Sequence, residues 1–214
     1  FYGAPAPVDD HEYWACLTAV KMQERLAELR AKWQAEGDRW PEIVHHMQNR
    51  IGINTGKMVT GNMGSSMRMD YTMMGDTVNL AARLEASAKQ YGVYIQVAEE
   101  SYQACKNKFI WRDLDYVIVM GKTEPAQVFE LISEAGNMPP GYDKLLPAYD
   151  EALKLYRGQE WEKAIDAFKA SDELEDMFGG RKTNPSRIYI PRCEHYRDNP
   201  PGDDWNGSWA LTKK

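Results

Sequence analysis

The sequence predicts an α+β domain, with an antiparallel-rich sheet and helices on one face, followed by a small α-helical hairpin extension. Three observations carry that expectation. Short β-branched runs alternate with helical periods through residues 1–135. The composition changes at "NMPPGY", after which helical periods alone recur. Hydrophobic residues make up 43% and charged residues 27% of the 214, which suits a packed core rather than a disordered chain.

The elements follow in order. "FYGAP" reads as the end of an apolar strand entering a Pro-rich turn. A domain seldom starts there, so the chain reads as a fragment with more sequence upstream. Asp9 or Asp10 can cap a helix in which Trp14, Leu17, Met22, Leu26 and Leu29 recur at helical spacing up to about Trp33. "QAEGDRWPEI" is a loop. "NRIGINTGKMVTGNMG" holds two short apolar runs around "NTGK", which predicts a hairpin bending at Thr55–Gly56. Gly61 and Gly64 mark a loop or a close backbone approach. The Met-rich "MRMDYTMM" reads as a polar turn ahead of a helix capped by Asp76 or Thr77. That helix has an apolar face of Leu80, Leu84, Ala88 and Tyr91 and stops at Gly92. "VYIQV" is a strand, "AEESYQAC" a short helix, "YVIVM" a strand ending at Gly121, and "QVFELI" a strand after Pro125.

Beyond the linker, Tyr149, Leu153 and Tyr156 share one helical face, and Trp161, Ala164, Ile165 and Phe168 share the next. The pair resembles a single tetratricopeptide-like unit. One unit cannot bury its own face, so it should dock on the main domain or on a protein partner. The remaining tail adds a helix and an aromatic end, in which Trp205 and Trp209 are expected to pack back. The implied organisation is 1–135 as the main domain, 136–142 as linker and 143–214 as extension.

Charge and composition exclude several classes. A net charge of −6 argues against a non-specific nucleic-acid binder. Cys16, Cys105 and Cys193 fit neither a metal spacing nor a disulfide framework, so a reducing, cytoplasmic setting is expected. No apolar run spans a bilayer and no signal-peptide layout is present, although an anchor outside these residues stays open. His11, His45, His46 and His195 form no metal spacing, and the default for them is a surface role. Met63, Met67, Met69, Met73 and Met74 read as a soft packing surface, since thioethers suit apolar contacts.

The chemistry-bearing pair is Asn79 and Arg83, four residues apart and hence on one helical face. A guanidinium fork and an amide near a helix start can hold an anion or a developing oxyanion. By spacing alone, a solvated arginine on a capped surface helix is the commoner meaning.

The wider string, "RIGINTGKMVTGNMGSSMRMDYTMMGDTVNLAARLE", resembles the class III nucleotidyl cyclases, as do "VMGK" before "EPAQVFEL" and the opening "FYGAP" with "DDH". The likeness covers residues 1 to about 133 and is far more specific than a lone Gly-rich loop. It implies a ferredoxin-like core, with the first strand and helix expected upstream of Phe1. It also implies synthesis of cyclic AMP or cyclic GMP at the interface of a head-to-tail homodimer. Asn79 and Arg83 match the family's transition-state pair, which positions the ribose and stabilises charge on the reacting phosphate. Thr72 matches the base-selecting position, where a hydroxyl favours ATP over GTP. The family's triphosphate-binding lysine matches Met120, which cannot bind phosphate. Lys122 is then the substrate-binding candidate, unless another cation compensates or binding is weakened. Arg68 is near in sequence but fits a solvated arginine better. Mg2+ or Mn2+ is implied, yet the family's metal aspartates would precede Phe1, and Asp9 and Asp10 fit a helix cap better. The resemblance therefore points to an adenylate cyclase whose fragment alone is inactive. The alternatives are a guanylate cyclase, or a non-catalytic interaction module whose helical extension binds a partner.

Overall fold

The computed structural model describes residues 1–118, 125–175 and 181–209. A long helix, α1 (His11–Ala35), opens the chain and is followed by a 3-10 turn at Gly37–Arg39 and a short helix, α2 (Glu42–His45). Then come β1 (Ile51–Ile53), β2 (Val59–Ser65), β3 (Arg68–Met74), α3 (Asp76–Tyr91), β4 (Ile95–Ala98), α4 (Glu99–Cys105), β5 (Phe109–Ile118) and β6 (Pro125–Glu134). The extension consists of α5 (Tyr142–Arg157), α6 (Trp161–Glu175) and α7 (Pro185–Asp198).

The main sheet has the order β1-β4-β6-β5. β6 runs antiparallel to both of its neighbours, while β1 runs parallel to β4, with Ile51 opposite Ile95 and Ile53 opposite Val97. The hairpin expected at Thr55–Gly56 is therefore corrected. Alternating Ile51 and Ile53 fit a parallel partner as well as an antiparallel one, and the chain returns to β1 through α3. The real hairpin lies one step later. β2 and β3 pair antiparallel from Val59–Met74 to Ser65–Arg68, so "MRMDYTMM" is mostly strand rather than turn. Gly64 shows the expected close approach: its φ is +147° and a Cβ would stand 2.1 Å from the Arg68 carbonyl oxygen. Gly61 has open space instead.

The α+β class and the cyclase-type core stand, with helices on both faces of the sheet rather than one. Period-2 alternation explains why. On β4, Ile95 and Val97 join Cys16, Ala19 and Val20 of α1 and Leu131 of β6. Ala98 points the other way, into a cluster of Leu80, Leu84, Ala88 and Tyr91 from α3 with Leu114 and Val128. All four residues of β4 are buried, as a strand covered on both faces must be. The face of α1 differs from the one read from spacing. Cys16, Ala19 and Val20 are buried, while Trp14 and Met22 are exposed, because small side chains let the helix lie close on the sheet.

Other local expectations change. Residues 1–8 form bends without a strand. Asp10 occupies the N-cap of α1 in a left-handed conformation (φ 52°) and makes no side-chain capping bond. In the hairpin Met67, Met69 and Met74 are exposed, because β2–β3 is a separate two-stranded sheet and no layer covers its outer surface among the described residues.

The helical extension builds its own core from Tyr149, Leu153, Tyr156, Ile165, Phe168 and Tyr189. The helix pair docks as expected, on α7 and on the edge strand β5. Trp205 and Trp209 pack back as well: Trp205 stacks edge-on against Tyr156 and Trp161, and Trp209 lies against His195 and Tyr196.

Candidate active site

The site is built around α3. β3 runs into it through Gly75, whose φ of +147° is closed to most side chains. Gly75, and not Asp76 or Thr77, is the N-cap, and no side chain caps the helix. Its carbonyl accepts from Val78 N and Asn79 N, both at 3.1 Å. At the other end Gly92 adopts the left-handed conformation (φ 68°), and its N–H bonds back into the last turn. Between these ends Leu80, Leu84, Ala88 and Tyr91 are buried against the sheet.

Asn79 and Arg83 stand outside that buried face, one turn apart and both exposed. The arginine therefore does not sit in packed surroundings. It belongs to a polar stripe on the outer face of α3. Thr72 is half-buried on β3, opposite Gly61 on β2. Lys122 and Met120 lie outside the described residues. Arg68 meets Asp70 at 3.4 Å with both side chains largely exposed, which fits the solvated reading.

A cavity of about 660 Å3 lies on the inner side of α3. Its walls come from the N-terminal segment, α1, β1 and the inner residues Thr77, Val78 and Ala81 of α3. Neither Asn79, Arg83 nor Thr72 lines it, so the cavity and the outer stripe are different surfaces of one helix. Spacing gave no hint of the residues that hold the loop after β1. Asn54 Nδ2 donates to the Thr77 carbonyl at 3.0 Å, and Thr55 Oγ1 and Ser101 Oγ share a hydrogen bond of 2.8 Å. A Cβ on Gly56 would stand 2.7 Å from Thr77 Oγ1. This loop therefore braces the first turn of α3, and its small polar residues are the sequence signal for such an approach.

Residues 1–132 match the adenylate and guanylate cyclase catalytic domain family. The chain belongs to that family. It is 31% identical over 181 residues to the terminal-differentiation specific adenylate cyclase of Dictyostelium discoideum, a match covering 83% of this chain and 8% of that protein. Such a span cannot fit within residues 1–132 and so reaches into the helical extension. Adenylate cyclase 1 of Rhizobium meliloti is 35% identical over 129 residues, covering 59% of this chain and 18% of its own. The chain thus spans less than a fifth of the length of either relative. Among solved structures, the adenylyl cyclase CyaB of P. aeruginosa superposes with a TM-score of 0.53 at 29% identity, over 64% of this chain and 68% of that one. The family match stops before α5, so the tetratricopeptide-like likeness of the helix pair is unconfirmed.

Members of this family generally use divalent metals. Among the described residues, no group of three or more His, Cys, Asp or Glu side chains could hold an ion. These residues do not make a metal site by themselves. Among the described residues no helix is long and apolar enough to cross a membrane.

Proposed function

We propose that residues 1–135 are a catalytic domain of an adenylate cyclase, joined by 136–142 to a helical extension over 143–214. The reaction is attack of the ribose 3′-hydroxyl of ATP on the α-phosphorus. The new ester bond closes the 3′,5′ ring, the bond from the α-phosphorus to the bridging oxygen breaks, pyrophosphate leaves, and the hydroxyl proton passes to solvent. Phosphoryl transfer of this kind needs positioning and charge stabilisation more than covalent help. Asn79 orients the ribose, and the Arg83 fork holds the reacting phosphate as charge develops. Thr72 accepts from the adenine amino group, and Lys122 binds the triphosphate in place of the lysine replaced by Met120.

The observation that carries this reading is the exposed pairing of Asn79 and Arg83 on one face of α3. A transition-state pair on an outer face requires a second domain to close over it, so the working unit is a homodimer. Val59, Met67, Met69 and Met74 add apolar surface on the neighbouring hairpin, which supports a partner copy on that side. The metal the family uses would be Mg2+ or Mn2+, and the described residues do not form a site for it by themselves.

The test is Arg83→Ala in the intact protein. A lost transition-state donor should lower kcat by about 10²-fold or more, with the KM for ATP changed far less. Equal loss in kcat and ATP affinity, or no loss, removes the assigned role. Competition between ATP and GTP as substrates separates adenylate from guanylate cyclase, because the Thr72 hydroxyl is the feature that favours ATP.

A further inference from the structure

Apart from the outer face of α3, the densest polar chemistry lies where β5 meets the helical extension. Four successive residues of β5 each bond a helix of the extension. Arg112 Nη1 donates to Glu175 of α6 at 2.5 Å. Asp113 accepts both ends of the Arg157 fork from α5, at 2.6 and 2.9 Å. The Leu114 carbonyl accepts from Tyr189 Oη, and Asp115 accepts from Arg192 Nη1 at 2.6 Å, both donors on α7. Buried ion pairs add little net stability, because desolvation offsets their attraction, but they allow one orientation only. The extension already has its own apolar core, so this row fixes its pose rather than its existence.

The row also reaches α3. Asp115 Oδ2, which takes the Arg192 bond, accepts a second from Tyr91 Oη at 2.7 Å, and Tyr91 is the last residue of α3. At the next position a Cβ on Gly92 would stand 2.0 Å from the Thr183 carbonyl, so the segment entering α7 lies directly on the end of α3. Ile188 of α7 packs on the cluster that holds Leu80, Leu84 and Ala88. Tyr91 is eight residues past Arg83, about 12 Å along a stiff helix, so a tilt at one end moves the polar stripe at the other.

We infer that Tyr91, Asp115 and Arg192 are positioning residues for the reaction, through which the helical extension sets the pose of α3 and hence of Asn79 and Arg83. This rests on the proposed role of Arg83. It makes the extension a working part of the catalytic unit and not a free arm.

The test is a double-mutant cycle in the intact protein, with kcat expressed per folded molecule. Tyr91→Phe removes one oxygen and keeps the ring. It should lower kcat by about tenfold, since sub-ångström misplacement is costly, and leave the KM for ATP within about twofold. In an Arg83→Ala background the same change should cost less than about twofold, because a residue acting through Arg83 has nothing left to act on. Arg192→Gln should mirror Tyr91→Phe, and Arg192→Lys should recover most of the loss. Wild-type kcat in Tyr91→Phe, or the same loss with and without Arg83, overturns the inference while Arg83→Ala still upholds the proposed function. Wild-type kcat in Arg83→Ala overturns both.

Discussion

Arg83 lies midway along α3, Arg192 is tied through Asp115 to the last residue of that helix, and they are used in opposite ways. Arg83 is exposed on the outer face of α3. Arg192 is buried, clamped to Asp115, and its cation is stacked 5.0 Å from the Tyr189 ring centroid. Arg112 goes further and is fully buried between Glu130 and Glu175, with Arg181 completing a neutral set. Burial works against the charged form of Arg112, but the two carboxylates outweigh it and hold its pKa above the ordinary value. Burial raises Glu175 above the usual carboxylate range even with Arg112 beside it. The difference teaches what each arginine is for. A buried guanidinium is tolerable only when its anions are already in place, so it defines geometry. An exposed one bears no such desolvation cost, so its partners can exchange.

That contrast can be broken in order of expected effect. The extension side also buries tyrosines. Burial raises Tyr142 to about 12 and lifts Tyr91, Tyr149, Tyr156 and Tyr189 above their ordinary value as well. An unfolded tyrosine loses its proton near pH 10, while the folded one keeps it, so the native state holds more protons and stability falls as pH rises. The slope is about 1.4 kcal/mol per pH unit for each tyrosine, so five together remove several kcal/mol within the first unit. The protein should unfold cooperatively between pH 10 and 12, read by circular dichroism. A stable fold at pH 12 would mean that these hydroxyls ionise freely.

Next comes Arg112→Met. It leaves the two buried carboxylates of Glu130 and Glu175 with Arg181 alone to balance them, and should cost about 3–5 kcal/mol, measured by urea unfolding. Gly92→Ala is smaller. A left-handed alanine costs about 1–2 kcal/mol, and the clash with the Thr183 carbonyl adds to it. The least should follow from Arg25→Ala. Arg25 and Glu28 pair at 2.6 Å with side chains 69% and 65% exposed, and such pairs contribute below about 0.5 kcal/mol. If Arg25→Ala cost as much as Arg112→Met, burial would not be what separates the two kinds of arginine.

Much of the local structure around the candidate site was legible in the sequence, and the reasons are local. Asn79 and Arg83 share a face because residues four apart on any helix do, and Gly92 ends that helix because glycine adopts positive φ without strain. The helix pair after "NMPPGY" was legible from its 3.6-residue period. Strand pairing was not. Ile51 and Ile53 alternate correctly for a strand, but alternation says nothing about which strand lies beside it or in which direction. The hairpin turn was misplaced by about ten residues for that reason. Met69 and Met74 of β3 were likewise read as packed, since composition registers apolar character and not whether a layer exists to cover it. The loop of Asn54 to Gly56 and the Tyr91–Asp115–Arg192 relay were invisible, because their partners are far apart in sequence.

The sequence by itself determined the family, the alternation of strands and helices, and the one-turn spacing of Asn79 and Arg83, all of which are encoded in short windows of chain. Only the tertiary structure decided that this pair faces outward, that helices cover both faces of the sheet, and that the extension is bolted to β5 by four successive residues. Direction, pairing and burial arise from contacts between residues tens of positions apart. Those contacts are selected by the desolvation cost of charges and the shape of the core, and no local pattern reports either.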